Sequence, residues 1–183
     1  MIPETPSEFV LDYLKRTYTY DNGTIIANGK PVKQYVKPSG HTQMINIRLD
    51  TMYESCYIVY KPIMTHHLVW FLCTKVWPSQ QIDHIDGNPA NNRIENLRLT
   101  THTQNLWNQK KQKGTTSTYK GVKKQGKKWR VTFTHNRKQI HVGYFITEVE
   151  AAQAYNVAIS ELRGEYARLN IIPTLPPKAP LPK

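Results

Sequence analysis

The sequence predicts an α+β protein: a β-rich N-terminal region, a compact mixed centre, and a small three-stranded antiparallel sheet backed by one helix. Three observations lead there. Much of the first third alternates apolar and polar residues at the two-residue period of strands. An apolar run at helical spacing, near residues 65–76, is followed by a polar stretch dense in asparagine, IDHIDGNPANNRIENLR, residues 82–98. After Tyr119, three β-prone runs close on a capping-box signature and a helical apolar stripe.

Ser7 to Arg16 has the pattern of one helical turn or two. TYTYDNGTII sets Asp21-Asn22-Gly23 between β-prone runs, a hairpin signal. MINIRL, 44–49, alternates as a strand, and SCYIVY, 55–60, reads as its buried partner. Thr65 is the expected N-cap of a helix reaching Val76 and ended by Pro78, with Leu68, Val69, Leu72 and Val76 facing inward. THTQNLWNQKKQ, beginning at Thr101, reads as a second helix. QKKQKGTTST, 109–118, loses apolar periodicity midway and reads as a basic linker. YKGVKKQ, KWRVTFTHN and KQIHVGYFI are the three strands, with turns at Gln125-Gly126-Lys127 and around Asn136-Arg137. Thr147 and Glu150 form the capping box of a helix whose Ala152, Tyr155, Ile159 and Leu162 share one face and which Gly164 ends. The tail IIPTLPPKAPLPK has five prolines in thirteen residues and reads as extended or disordered. The expected organisation is a β-rich region at 1–64, a central module at 65–112, a linker at 113–118, a second module at 119–170 and a tail at 171–183. There are no internal repeats.

Charge is unevenly spread. Residues 1–100 carry ten Lys/Arg against nine Asp/Glu, whereas 101–183 carry fifteen against four. Between Thr101 and Phe145 eleven basic residues occur with no acid. Such a one-signed field points to a polyanion, and a phosphate backbone is the commonest; a solvated lysine-rich surface is the plainer alternative. Cys56 and Cys73 form no CxxC pair, which argues against a zinc site or a disulfide scaffold. The N-terminus lacks a signal-peptide pattern, and the longest strongly apolar run, LVWFLC at 68–73, is too short to span a bilayer. The expectation is a soluble protein of a reducing cytoplasm.

Cutting a phosphodiester calls for a hard cation on the scissile phosphate and a base that activates water. Asp83 and His84 offer a charged oxygen and an imidazole as neighbours. Mg²⁺ keeps several waters, so one carboxylate and one amide oxygen suffice to hold it. On these residues the segment IDHIDGNPANNRIENLRLTTHTQN resembles the HNH endonucleases, the ββα-metal nucleases, in the subgroup common in bacteriophages and mobile introns. The resemblance implies a two-stranded hairpin with a wide loop, then a helix, gripping one metal ion between them. It implies that Asp83 and Asn105 are metal ligands and that His84 is the general base. It implies too that Asn96 braces the loop and helps orient His84. Asparagine at 105 favours Mg²⁺ or Mn²⁺ over a softer metal. Asp86, Asn88, Asn91 and Asn92 read as loop residues that cap their own backbone. Arg98 reads either as a contact to the scissile phosphate or as a surface residue. His66 and His67 point about 100° apart on a helix and so rarely chelate one ion; His67 reads as structural, and His102 as a residue supporting the site from outside.

The second module resembles the plant APETALA/ethylene-response-factor DNA-binding domain through YKGV, KW.V, VGYF, EAA.AY and ARLN. That resemblance implies a three-stranded sheet laid in the major groove, with Lys120, Lys123, Lys124, Arg130 and Lys138 as DNA contacts. Trp129 reads either as lying near the DNA backbone or as core packing. Lysines where plant members often have arginines favour phosphate contact over guanine readout. The leading expectation is thus a metal-dependent endonuclease of phage or homing type. It would nick double-stranded DNA with one ion per site, as a monomer or weak dimer, without a small-molecule cofactor or a membrane. The rival is a sequence-biased DNA-binding regulator with an inactive nuclease core, against which intact Asp83, His84, Asn96 and Asn105 count. An RNA-binding protein is the third class, with no specific motif behind it.

Overall fold

A computed structural model describes residues 4–36, 43–50, 58–111 and 114–173. The chain is mixed α/β and divides into two compact units, Met1–Leu106 and Trp107–Lys183. The division falls within one short helix.

In the first unit, α1 (Glu8–Thr17) is longer than the expected turn or two. Val10, Leu11 and Leu14 recur at helical spacing and pack against the core, and Lys15 and Arg16 suit the negative end of the helix dipole. β1 (Tyr18–Asp21) and β2 (Thr24–Ala27) pair with Asp21 opposite Thr24, leaving Asn22-Gly23 as a two-residue turn with φ of 40° and 92°. That is the twist an Asn-Gly hairpin supplies. β3 (Lys30–Pro31) completes this sheet. A second sheet pairs β4 (Tyr35–Val36), β5 (Gln43–Asp50) and β6 (Ile58–Met64), with β5 in the middle. Part of the expected strand at 55–60 lies outside the described residues; β6 runs beyond it to Met64.

α2 (Thr65–Thr74) places Met64, not Thr65, at the N-cap. Thr65 is the first helical residue, and its side chain is fully buried. The helix ends at Lys75, whose left-handed φ of 63° lets its N–H reach Phe71 O at 2.8 Å. The expected inward Val76 is therefore beyond the helix and 65% exposed, while Leu68, Val69, Phe71 and Leu72 fill the core with Leu14, Ile25 and Ile45. β7 (Gln81–His84) and β8 (Leu97–Thr100) form a two-stranded ribbon, joined by a wide loop containing a 3₁₀ turn at Ile94–Asn96. α3 (His102–Asn108) follows; Thr101 and Gln104 cap it reciprocally at 2.8 and 3.3 Å.

The second unit is an antiparallel sheet of β9 (Val122–Gln125), β10 (Lys128–His135) and β11 (Lys138–Phe145), with β10 central, and α4 (Glu148–Arg163). Asn136 and Arg137, with φ of 47° and 62°, make the tight turn between β10 and β11. Thr147 and Glu150 form the expected capping box. Ala151, Ala152, Tyr155 and Ile159 pack with Val122, Val131 and Phe133. Leu162, expected in that stripe, is 45% exposed, because the next step of the stripe lands on Arg163. The Arg163 guanidinium lies over the rings of Trp107 and Phe133 at 5.0 and 5.3 Å, and Nη2 donates to Thr134 O. A planar cation with a long apolar stem fills this position better than leucine would, since it also satisfies a strand carbonyl. Ser117 and Thr118, in the expected linker, both donate to Glu148 Oε1. Residues 174–183 lie outside the described ones.

Candidate functional site

The asparagines of the β7–β8 loop are mutually bonded. The Asp86 carboxylate accepts from Asn88 N (2.7 Å), Asn91 Nδ2 (2.8 Å) and Asn96 Nδ2 (3.0 Å). Asn96 Oδ1 accepts in return from Asp86 N at 3.0 Å, and Asn96 Nδ2 also donates to Asn91 O at 2.8 Å. Asn88 Oδ1 accepts from Ala90 N. Burial pushes the Asp86 pKa up, but the bonds from Asn91, Asn88 and Asn96 outweigh it and hold the group below its ordinary value. A wide loop cannot pair its backbone with a neighbouring strand, so short amide side chains do it instead. Ile85 N donates to Asn96 O at 2.9 Å, closing the loop's base.

This scaffold presents β7. Asp83 is 7% exposed and faces Arg98 across the ribbon; Arg98 Nε and Nη2 reach its Oδ2 at 3.1 and 2.9 Å. Neither sequence reading of Arg98 anticipated this ion pair, which cross-strand register alone would have suggested. His84 Nε2 lies 3.0 Å from Asn92 Oδ1. Asn96 bonds to the loop, whereas the amide oxygen beside the imidazole Nε2 is that of Asn92, read from sequence as one more loop residue. The His66 ring on α2 stands edge-on to His84, with centroids 5.2 Å apart and planes at 87°. Burial, then the neighbouring His67 and His84, lower the pKa of His66 to about 3; burial lowers that of His67 to about 4. Both rings are neutral at neutral pH. On α3, Asn105 Nδ2 donates to Gln81 Oε1 at 3.2 Å, and Gln81 Nε2 is 3.5 Å from His102 Nδ1. Gln81, two residues before Asp83 and on the same face of β7, was not singled out in the sequence. Among the described residues there is no group of three or more His, Cys, Asp or Glu able to hold a metal.

In the second unit the register sorts the expected DNA contacts by face. Val122 opposes Val131 in the core, so Lys124 and Trp129, paired two residues along, share the helix-facing side. Trp129 packs against the core, with Lys124 Nζ 5.7 Å from its ring. Lys123, Arg130 and Tyr144 share the open face. His141, in contact with Tyr144 at 4.9 Å, stands there too, and neither ring was singled out in the sequence. Lys138 sits at the hairpin end opposite His135. Lys120 turns inward: its Nζ donates to Trp107 O and Gln109 O at 2.8 and 2.6 Å. Burial, then Arg163 and Arg168, lower its pKa to about 8.

A wide-looped β-ribbon followed by a helix, with Asp83 and His84 on its first strand, is the arrangement that the sequence resemblance leads one to expect. The HNH endonuclease family model matches residues 64–106. Protein 3.8 of Escherichia phage T7 is 38% identical over 112 residues, spanning 60% of this chain and 92% of that protein. An uncharacterized HNH endonuclease of Acanthamoeba polyphaga mimivirus is 40% identical over 92 residues, 50% of this chain and 47% of its own length. No solved structure matches. The chain belongs to the HNH endonuclease family and is a nuclease, a hydrolase. None of its described helices is long and apolar enough to cross a membrane.

Proposed function

We propose that this nuclease is a metal-dependent endonuclease of phage or homing type that hydrolyses phosphodiester bonds in double-stranded DNA, one strand per engagement. The observation that carries the reading is the convergence of motif residues on one strand. Asp83 and His84 are adjacent on β7, Arg98 pairs with Asp83, and Asn105 bonds to Gln81 of the same strand. His84 takes the proton of the attacking water. Arg98 holds the Asp83 carboxylate, and its charge suits a nearby phosphate. Asn96 keeps the loop in shape through its bonds to Asp86, Asn91 and Ile85. With the Asn105 amide nitrogen on Gln81, its oxygen is the donor that, beside Asp83, would hold one Mg²⁺ or Mn²⁺. That donor set of hard oxygens fits such an ion, which supplies charge neutralisation at the phosphate.

The second unit serves as an APETALA/ethylene-response-factor-like DNA-binding module. Lys123 and Arg130 face the duplex from the open sheet, with Lys138 at its edge, while Lys120, Lys124 and Trp129 do more to hold the module together. Its source would be a phage or an intron, and its site of action the cytoplasm of a host cell. Incubation with supercoiled plasmid tests this: Mg²⁺ or Mn²⁺ should yield open circles before linear product, and EDTA should stop the reaction. Cleavage surviving in EDTA would remove the metal from the account, and linear DNA as the first product would remove nicking. DNA retardation with no cleavage in either metal would favour the DNA-binding regulator.

A further inference from the structure

We infer that the Arg98–Asp83 ion pair makes ion binding depend on DNA: tight binding of the divalent cation requires a phosphate of the duplex. The inference rests on the reading of Asp83 as a metal ligand and adds the condition under which that ligand works. Arg98 Nε and Nη2 donate to Asp83 Oδ2 at 3.1 and 2.9 Å. The two residues stand opposite each other on β8 and β7, so the ribbon's register sets the pairing rather than a chance rotamer. Side-chain exposures of 14% for Arg98 and 8% for Asp83 put the pair largely out of water. Charges so placed are weakly screened, and each cancels much of the other's field. A cation approaching the carboxylate meets the arginine charge a hydrogen bond's length beyond it.

Neighbouring groups do not make up the difference. Asn105, the other ligand read for the ion, brings a neutral amide whose Nδ2 is bonded to Gln81. Asp86, the next acid along the chain, has its carboxylate bonded by Asn88, Asn91 and Asn96 within the loop. Glu95 is exposed, and its field reaches Cys73 on α2. Among the described residues no three His, Cys, Asp or Glu gather to hold a metal. The charges of Asp83 and Arg98 sum to zero, so a dication there is unmatched until an anion arrives. A phosphodiester supplies a negative charge, accepts hydrogen bonds from a guanidinium and offers the ion a further hard oxygen. Mg²⁺ suits such a shared site, since it is commonly held by one or two carboxylates together with substrate phosphate.

The test is Mn²⁺ binding to the full-length protein, read from the electron paramagnetic resonance of the free ion. A His84→Ala background keeps the duplex uncut on the proposed reading. Adding a short duplex should tighten Mn²⁺ binding about 10-fold or more beyond what the duplex binds alone, and Mn²⁺ should tighten duplex binding by the same factor. On the protein without DNA, Arg98→Gln should tighten Mn²⁺ binding about 5- to 50-fold, whereas Arg98→Lys, which keeps the charge, should stay within about threefold. Mn²⁺ should also raise the Tm of Arg98→Gln more than that of the protein with Arg98. An Arg98→Gln protein that binds Mn²⁺ no more tightly overturns the inference. Loss of Arg98 strands a buried carboxylate and can impair folding. The duplex experiment needs no change at 98, and a Mn²⁺ affinity that the duplex leaves unaltered overturns the inference by itself. Asp83→Asn separates the two levels. Mn²⁺ binding intact there with duplex present removes Asp83 as a ligand, whereas loss there with no gain in Arg98→Gln removes only the role of Arg98.

Discussion

The loop between β7 and β8 and the open face of the β9–β11 sheet are both crowded with polar side chains, and they use them in opposite ways. In the loop, polar groups satisfy one another: Asp86 with three asparagines, Asp83 with Arg98, His84 with Asn92. On the sheet, Lys123 is exposed and Arg130 and Tyr144 stand on the solvent side of β10 and β11, while the hydrogen-bonded lysine, Lys120, is the one turned inward. On the proposed reading the loop's site moves protons, which needs groups fixed to within a fraction of an ångström and suits interlocking bonds. On the same reading the sheet grips a phosphate backbone, which needs only charge at roughly the right spacing.

The contrast can be broken most severely at Gly121. Its φ of +77° is left-handed, and a methyl group there would overlap the ring of Tyr155 at the centre of the second unit's core. Gly121→Ala should destabilise that unit by about 3 kcal/mol or more. Thermal melting should show an early transition, and gel retardation should show weaker DNA binding. A single unshifted melt would mean that the ring moves aside at little cost.

A milder change sharpens the contrast. Lys123→Ala with Arg130→Ala should reduce the slope of log affinity against log salt by about 2. The cleavage rate at saturating DNA should stay within about twofold. An unchanged slope would show that the open face is not what meets the phosphates.

The smallest effect concerns pH. His66 and His67 have folded-state pKa values of about 3 and about 4, below the unfolded value of 6.5. Between those limits the unfolded chain binds protons that the folded one refuses. Stability from this pair is therefore complete above about pH 6.5 and is lost as pH falls towards 4 and 3. Denaturant midpoints of the first unit should drop over that window, and His66→Phe should shrink the drop.

Much of this was legible in the sequence for local reasons. Asn22-Gly23 and Asn136-Arg137 are turns because few residues accept positive φ, and Thr147 with Glu150 caps α4 because both groups lie within three residues. Asp83, His84, Asn96 and Asn105 could be singled out through the family resemblance of the segment that carries them. What escaped depended on non-local geometry. The Asp83–Arg98 pair follows from strand register, and the His84–Asn92 contact from the path of a loop that sequence does not trace. The core role of Arg163 and the exposure of Leu162 turn on Trp107, far away along the chain. The resemblance that names Lys120 a DNA contact gives no sign of the two carbonyls its Nζ meets.

The claim at the centre is that the imidazole on β7 deprotonates the nucleophile while the second unit supplies grip. The most direct measurement is single-turnover cleavage of duplex plasmid by His84→Ala beside gel retardation of the same DNA, both in Mg²⁺. The account predicts a rate lower by about 10²- to 10⁴-fold with retardation unchanged. A variant that cuts at the unmodified rate, or one that loses binding together with cleavage, would contradict it.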